Sequence, residues 1–127
     1  MSAPSPRILV VEDEALNRAL IRRMLRTLGV DADYATDGGE AVAAAKATAY
    51  DLIFMDLRMP RVDGFVATRA IRDWERQQGA ARRPARIVAL TSIVSTESRL
   101  LCAEAGMDGF LGKPVDLETL RSLVASD

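Results

Sequence analysis

Short apolar runs alternate along this chain with segments whose apolar residues recur at helical spacing. Ile8–Val11 is a continuous apolar run, as expected of a strand buried on both faces. Behind it Leu16, Leu20, Met24 and Leu28 recur every four residues, Asp13 or Glu14 stands where a helix cap would, and Gly29 ends the segment. Val30–Tyr34 alternates and reads as an exposed edge strand. Thr36-Asp37-Gly38-Gly39 reads as a turn, and Glu40–Ala47 as an alanine-rich helix. Asp51–Met55 is a second buried strand and Arg58–Gly64 a loop. Val66, Ile71 and Trp74 lie on a helix reaching about Gln78. Gly79–Pro84 is a small basic connector. Arg86–Leu90 is a third buried strand, Thr96–Ala105 a helix ended by Gly106, and Gly109–Leu111 a short strand. Asp116 caps a last helix with Leu117, Leu120 and Val124 along its inner stripe. Five strands in alternation with five helices predict an α/β fold: a doubly wound parallel sheet, helices on both faces, right-handed crossovers. One domain is expected over residues 1–127, with a core of about 7–124.

Composition narrows the chemistry. The 127 residues carry a net charge of −1, no histidine and one cysteine. Without histidine there is no Ser-His-Asp or Cys-His pair and no HExxH zinc site. A single cysteine excludes an internal disulfide and a cysteine zinc cluster. The balanced charge argues against a dedicated nucleic-acid surface. No apolar run approaches the length of a membrane span, and Met1–Arg7 lacks the apolar segment of a secretory signal, so a cytoplasmic location is expected. The cations are 15 arginines and only two lysines, Lys46 and Lys113.

In a doubly wound sheet, ligands bind beyond the carboxyl ends of the strands, where the strand order reverses. Glu12 and Asp13 follow the first strand there. Asp56 follows the next buried strand, Thr91 and Ser92 the one after, and Lys113-Pro114 the last. Packed carboxylates repel one another unless one takes a proton or a cation joins them. Oxygen donors without nitrogen or sulfur favour a hard ion, and Mg²⁺ suits a site that keeps open positions for water and phosphate. A compact ammonium, from Lys113, suits a single phosphoryl or carboxylate oxygen better than the fork of arginine.

These residues resemble the receiver domains of two-component response regulators. The resemblance runs from Arg7 to Val124. It is carried by Ile8-Leu9-Val10-Val11-Glu12-Asp13-Glu14, Asp51-Leu52-Ile53-Phe54-Met55-Asp56-Leu57-Arg58-Met59-Pro60, Asp63-Gly64, Ala89-Leu90-Thr91-Ser92 and Lys113-Pro114. It implies the flavodoxin-like strand order 2-1-3-4-5. It implies that Asp56 is the phosphoacceptor, attacking a phosphoryl group on a partner's histidine. Mg²⁺ would be held by Glu12, Asp13 and Asp56 with the backbone carbonyl of Arg58. Thr91 would bond the phosphoryl oxygen and Lys113 would pair with the acceptor and its phosphate. Phe110 would be the aromatic switch, and the Lys113–Pro114 peptide would be cis. The partners implied are a histidine kinase or histidine phosphotransfer protein and a downstream protein target. Neither nucleic acid nor membrane is expected, and the chain would be a monomer or a weak phosphorylation-dependent dimer. Asn17 beside the acidic pair and the long Asp73–Ala85 connector resemble receivers of hybrid kinases.

The chain departs from the family pattern in places. Glu12 stands where aspartate is frequent, Ser92 where alanine is, and Phe110 where a tyrosine hydroxyl is often found. Arg58 is expected to affect how water reaches the phosphoryl group. Plainer readings are capping and solvated loop charge for the acids, a surface lysine for Lys113, backbone satisfaction for Thr91, core packing for Phe110 and Cys102, helix packing for Trp74, and a solvated loop for Arg82, Arg83 and Arg86. An aspartate-nucleophile phosphatase would want a second aspartate two residues past Asp56, where Arg58 stands. A binding module that never accepts phosphate is the third alternative. Gly106…Gly112-Lys113 does not make a phosphate loop, because the spacing is too long and Pro114 takes the Ser/Thr position.

Overall fold

The computed structural model describes residues 6–59, 62–92 and 94–125. Strands β1 (Ile8–Val11), β2 (Asp33–Ala35), β3 (Leu52–Asp56), β4 (Arg86–Thr91) and β5 (Gly109–Gly112) alternate with five helices. These are α1 (Ala15–Thr27), α2 (Gly38–Ala47), α3 (Gly64–Gln78), α4 (Thr96–Ala105) and α5 (Leu117–Ala125), and a 3₁₀ turn at Gly79–Ala81 follows α3. The sheet is parallel throughout and ordered β2-β1-β3-β4-β5, as the resemblance implies.

Alternation along the central strands divides the core. Leu9, Val11, Ile53, Met55, Ile87 and Ala89 face the side covered by α2, α3 and α4. Ile8, Val10, Leu52, Phe54, Val88 and Leu90 face α1 and α5. Every side chain of β1 and β3 is buried, which is why these runs are apolar rather than alternating.

Register sets the level of the strand ends. Val11 pairs with Met55 and Asp56 with Leu90, so Glu12, one residue beyond β1, comes level with Asp56. Thr91 pairs with Gly112, so Lys113 lies one residue further on. Gly64 opens α3 against the end of β3, where a β-carbon would stand 2.3 Å from the Asp56 carbonyl. Only glycine lets that helix start so close to the acceptor strand.

Some boundaries differ from the pattern. The second strand is Asp33–Ala35 rather than Val30–Tyr34. Val30 is nevertheless buried, its N–H donating to the Leu25 carbonyl as α1 unwinds. On α1 the buried residues are Ile21 and Leu25, while Leu16 and Leu20 are 65% and 46% exposed. A four-residue repeat drifts around a helix of 3.6 residues per turn, so only Met24 and Leu28 at its far end approach the core. Val66, at the start of α3, is also exposed. Gly38 and Gly39 are already helical, capped by Asp37, whose carboxylate accepts from Glu40 N–H. Asp116 caps α5 through Thr119 N–H as expected.

Candidate functional site

The acidic residues gather at the carboxyl end of the sheet. One carboxylate oxygen from each of Glu12, Asp13 and Asp56 lies within 4.8 Å of the others. Glu12 and Asp56 are buried and Asp13 is exposed at the lip. They open into a cavity of about 250 Å³, also lined by Arg58, Thr91, Ser92 and Lys113. Lys113 reaches in from the end of β5, its Nζ 2.8 Å from Glu12 Oε1 and 3.3 Å from Asp56 Oδ1. The Lys113–Pro114 peptide is cis. Lys113 N–H donates to the Thr91 carbonyl at 2.7 Å, extending the β4–β5 ladder one residue beyond the sheet.

Backbone donors hold the carboxylates. Arg58 N–H donates to Asp56 Oδ1 at 3.2 Å, and Glu14 N–H to Glu12 Oε2 at 3.2 Å. Neither Asp13 nor Glu14 caps α1 with its side chain; Glu14 occupies the cap position, and its N–H is taken by Glu12. The loop behind them is braced by Arg18, whose Nη1 donates to the carbonyls of Glu12 and Asp13, each at 2.9 Å. Sequence reading passes over Arg18, because a brace onto backbone leaves no residue-type signature.

The electrostatics follow from one ammonium among crowded acids. Burial and the neighbouring Glu12 carboxylate push Asp56 up to about 7. Burial raises Glu12 too, but the Lys113 ammonium 2.8 Å away, Asp56 and the Glu14 N–H together outweigh it and leave Glu12 below its usual range. Burial disfavours the Lys113 ammonium, yet the two carboxylates more than offset this and hold its pKa above the usual value. Asp56 therefore takes up a proton more readily than an ordinary carboxylate, while Glu12 stays ionised more readily. Glu12 Oε1, fully buried, meets Lys113 at an angle that gives it no aligned hydrogen bond. A buried oxygen with spare acceptor capacity, among three carboxylates and no nitrogen or sulfur donor, fits a hard divalent ion.

Thr91 stands half-buried at the end of β4 and lines the pocket. Phe110 lies on β5, half-buried against the α3–α4 side of the core, with the Arg99 guanidinium 4.6 Å from its ring centroid. Cys102 is buried core. Of the connector arginines, Arg82 donates to the Ala45 and Thr48 carbonyls at 2.6 Å and lies 4.6 Å over the Trp74 ring. Arg86 donates to the Leu123 carbonyl. These two tie elements together rather than forming a solvated loop.

A parallel five-stranded sheet in this order, with clustered acids and a lysine at its carboxyl edge, defines a receiver-type signalling module. The chain belongs to the response regulator receiver domain family, whose model matches residues 8–125. It is 43% identical over 94% of its length to hybrid signal transduction histidine kinase F of Dictyostelium discoideum, covering 11% of that protein. It is 39% identical to the osmosensing histidine protein kinase SLN1 of Saccharomyces cerevisiae, with 94% of this chain and 10% of that protein covered. The chain thus spans about a tenth of these relatives. Among solved structures it is similar to the receiver domain of a Pseudomonas aeruginosa sensor histidine kinase with a magnesium ion coordinated in its active-site cleft. That match has a TM-score of 0.80 and 36% identity, with 95% of each chain covered. It is also similar to the receiver domain of the yeast response regulator Ssk1 in complex with the histidine phosphotransfer protein Ypd1, at a TM-score of 0.86 and 35% identity, with 96% of this chain and 89% of that chain covered. Among the described residues no helix is long and apolar enough to cross a membrane.

Proposed function

We propose that Asp56 accepts a phosphoryl group from a phosphohistidine, supplied by a histidine kinase or a histidine phosphotransfer protein. The observation that carries this is the meeting of the Glu12, Asp13 and Asp56 carboxylates within 4.8 Å, with Lys113 Nζ 3.3 Å from Asp56. In the transfer the P–N bond to the donor histidine breaks and a P–O bond to Asp56 forms, giving an acyl phosphate and a neutral imidazole, which takes one proton from solvent as it leaves. Phosphoryl transfer needs positioning and charge neutralisation more than covalent help. Glu12, Asp13, Asp56 and the Arg58 carbonyl would hold Mg²⁺, which when bound neutralises charge on the transferring oxygens.

The remaining steps belong to the chain's own groups. Asp56 attacks as the carboxylate, and a cation held beside it would favour that ionised form. Lys113, already between Glu12 and Asp56, supplies the ammonium for an oxygen of the new phosphoryl group. Thr91, at the pocket's edge, donates its hydroxyl to another. Drawing Thr91 inward opens room for Phe110 to turn toward the core, so the α4–β5 face offered to a protein target changes. The chain's own acidic and basic groups thus assist both gain and loss of the phosphoryl group, and Arg58, exposed at the pocket lip, governs water access. The reading favours a monomer or a weak phosphorylation-dependent dimer working in the cytoplasm. The relatives being hybrid kinases, it favours a receiver of that kind.

Acetyl phosphate labelling tests it. Wild-type chain with Mg²⁺ is expected to gain one phosphoryl group by intact mass, and Asp56→Asn none. Wild-type chain that stays unlabelled, or Asp56→Asn that labels equally, overturns the assignment. Catalytic turnover of a phosphomonoester would favour the phosphatase alternative instead.

A further inference from the structure

The three carboxylates of the pocket are not held alike. Glu12 accepts from the Glu14 N–H and Asp56 from the Arg58 N–H, and both meet Lys113. Among the described residues no group donates to the Asp13 carboxylate, which stands exposed at the lip. What fixes Asp13 is its backbone. Arg18 Nη1 donates at 2.9 Å to the Glu12 carbonyl and at 2.9 Å to the Asp13 carbonyl. The first oxygen belongs to the peptide before the Asp13 α-carbon and the second to the peptide after it. Peptide units are planar, so drawing both oxygens onto one nitrogen leaves the two dihedrals of Asp13 little freedom. The direction of its Cα–Cβ bond is set with them. One atom can serve two acceptors because Nη1 carries two hydrogens. Arg18 is itself placed by α1, where its N–H donates to the Glu14 carbonyl at 3.0 Å. It is half-buried, does not line the cavity, and among the described residues forms no salt bridge.

On the reading that Glu12, Asp13 and Asp56 hold Mg²⁺, we infer that Arg18 is a positioning residue, which sets the affinity of the pocket for a divalent cation by keeping Asp13 aimed to ligate. Glu12 and Asp56 are ordered by burial and by donors of their own, so exposed Asp13 is the ligand that gains from a brace. A ligand already aimed loses less conformational freedom when the ion arrives. Groups standing behind a metal ligand typically change metal affinity by ten- to a hundredfold. A guanidinium acting on the ion through charge alone would repel it, and its removal would tighten binding. Removal of a brace weakens binding, so the two roles differ in sign.

Arg18→Met keeps a long side chain of similar helix propensity and removes both hydrogen bonds. The probe is Mn²⁺, a hard ion that carboxylates take as they take Mg²⁺, with the free ion counted by electron paramagnetic resonance while the whole chain is titrated. Arg18→Met is expected to raise the Mn²⁺ Kd about tenfold with an unchanged circular dichroism spectrum. In an Asp13→Ala background, where the positioned ligand is gone, the same substitution is expected to change the Kd less than about twofold. A general loosening of the fold would weaken both backgrounds alike. Equal binding by Arg18→Met and wild type, tighter binding by Arg18→Met, or the same tenfold loss in both backgrounds would each overturn the inference and leave the magnesium reading standing. Wild-type chain that binds no Mn²⁺ would overturn both. Acetyl phosphate labelling of the wild-type chain reports on Asp56 separately.

Discussion

The two ends of the sheet each bury charge, and they do so in opposite ways. At the end away from the pocket, Arg72 of α3 spends every nitrogen. Nε donates to the Gly106 carbonyl, Nη1 to Glu75 and the Ala85 carbonyl, and Nη2 to Asp108. Buried Glu75 takes Arg72 on one oxygen and Ala85 N–H on the other. Asp108 also accepts from Ile87 N–H. Two acids face one arginine there, and each lone pair that matters has a donor. At the pocket end three carboxylates face one lysine, Asp56 is pushed up to about 7, and Glu12 Oε1 has no aligned donor. A saturated cluster is a structural joint, here tying α3, β4 and the α4–β5 turn. An unsaturated one keeps room for a further positive charge.

The same kind of substitution should therefore have opposite signs at the two ends. Glu75→Ala leaves the Arg72 guanidinium short of its partner and Ala85 N–H bare, and should cost about 3–5 kcal/mol in urea unfolding. Asp56→Asn should stabilise the metal-free chain near pH 8, because it removes a like charge from Glu12. Equal losses at both ends would erase the distinction.

The pH dependence sharpens it further. Folded Asp56 titrates near 7, against 3.8 ordinarily, so the folded chain binds more protons than the unfolded chain between those values. Stability from this group is complete at low pH and is lost as pH rises through about 7. In chelator, wild-type stability should fall by roughly 2–3 kcal/mol from pH 5 to pH 8, and the fall should vanish in Asp56→Asn. Glu12, held below its usual range, acts in the other direction only under more acidic conditions. Magnesium at ten times its Kd should restore about 1.4 kcal/mol at pH 8. A wild-type curve flat over this range in chelator would mean that Asp56 titrates as an ordinary carboxylate.

Legibility in the sequence followed the same divide. The buried strands and the acids after them could be read directly, because a strand covered on both faces must be apolar and its polar continuation then stands out at Glu12, Asp56, Thr91 and Lys113. The joint at the far end could not. Arg72, Glu75 and Asp108 lie on three segments, and charged residues on a helix read as surface until the partner that buries them is known. Likewise α1 exposes Leu16 and Leu20, because a spacing of four suits a helix without saying which flank meets the core. β2 is short because only Asp33–Ala35 pairs with β1, while Val30 packs in the core outside any ladder.

The smallest expected effect lies between the two ends, at Phe110. Its ring is half-buried against the core and its outer face is covered by Arg99 of α4. Exposed cation–π contacts are worth about 0.5–1 kcal/mol, so this one biases the ring outward only a few-fold. Arg99→Ala removes the guanidinium and leaves the helix propensity high. It should shift Phe110 toward the core by about two- to fivefold in population, read from the ring's NMR signals, without altering the urea midpoint by more than a few tenths molar. If the ring turns on phosphorylation, the shift should bring unphosphorylated Arg99→Ala partway toward the spectrum of the labelled wild-type chain. A variant whose Phe110 signals do not move would leave Arg99 as a bystander on an exposed helix, and would place the control of Phe110 entirely at the pocket, through Thr91.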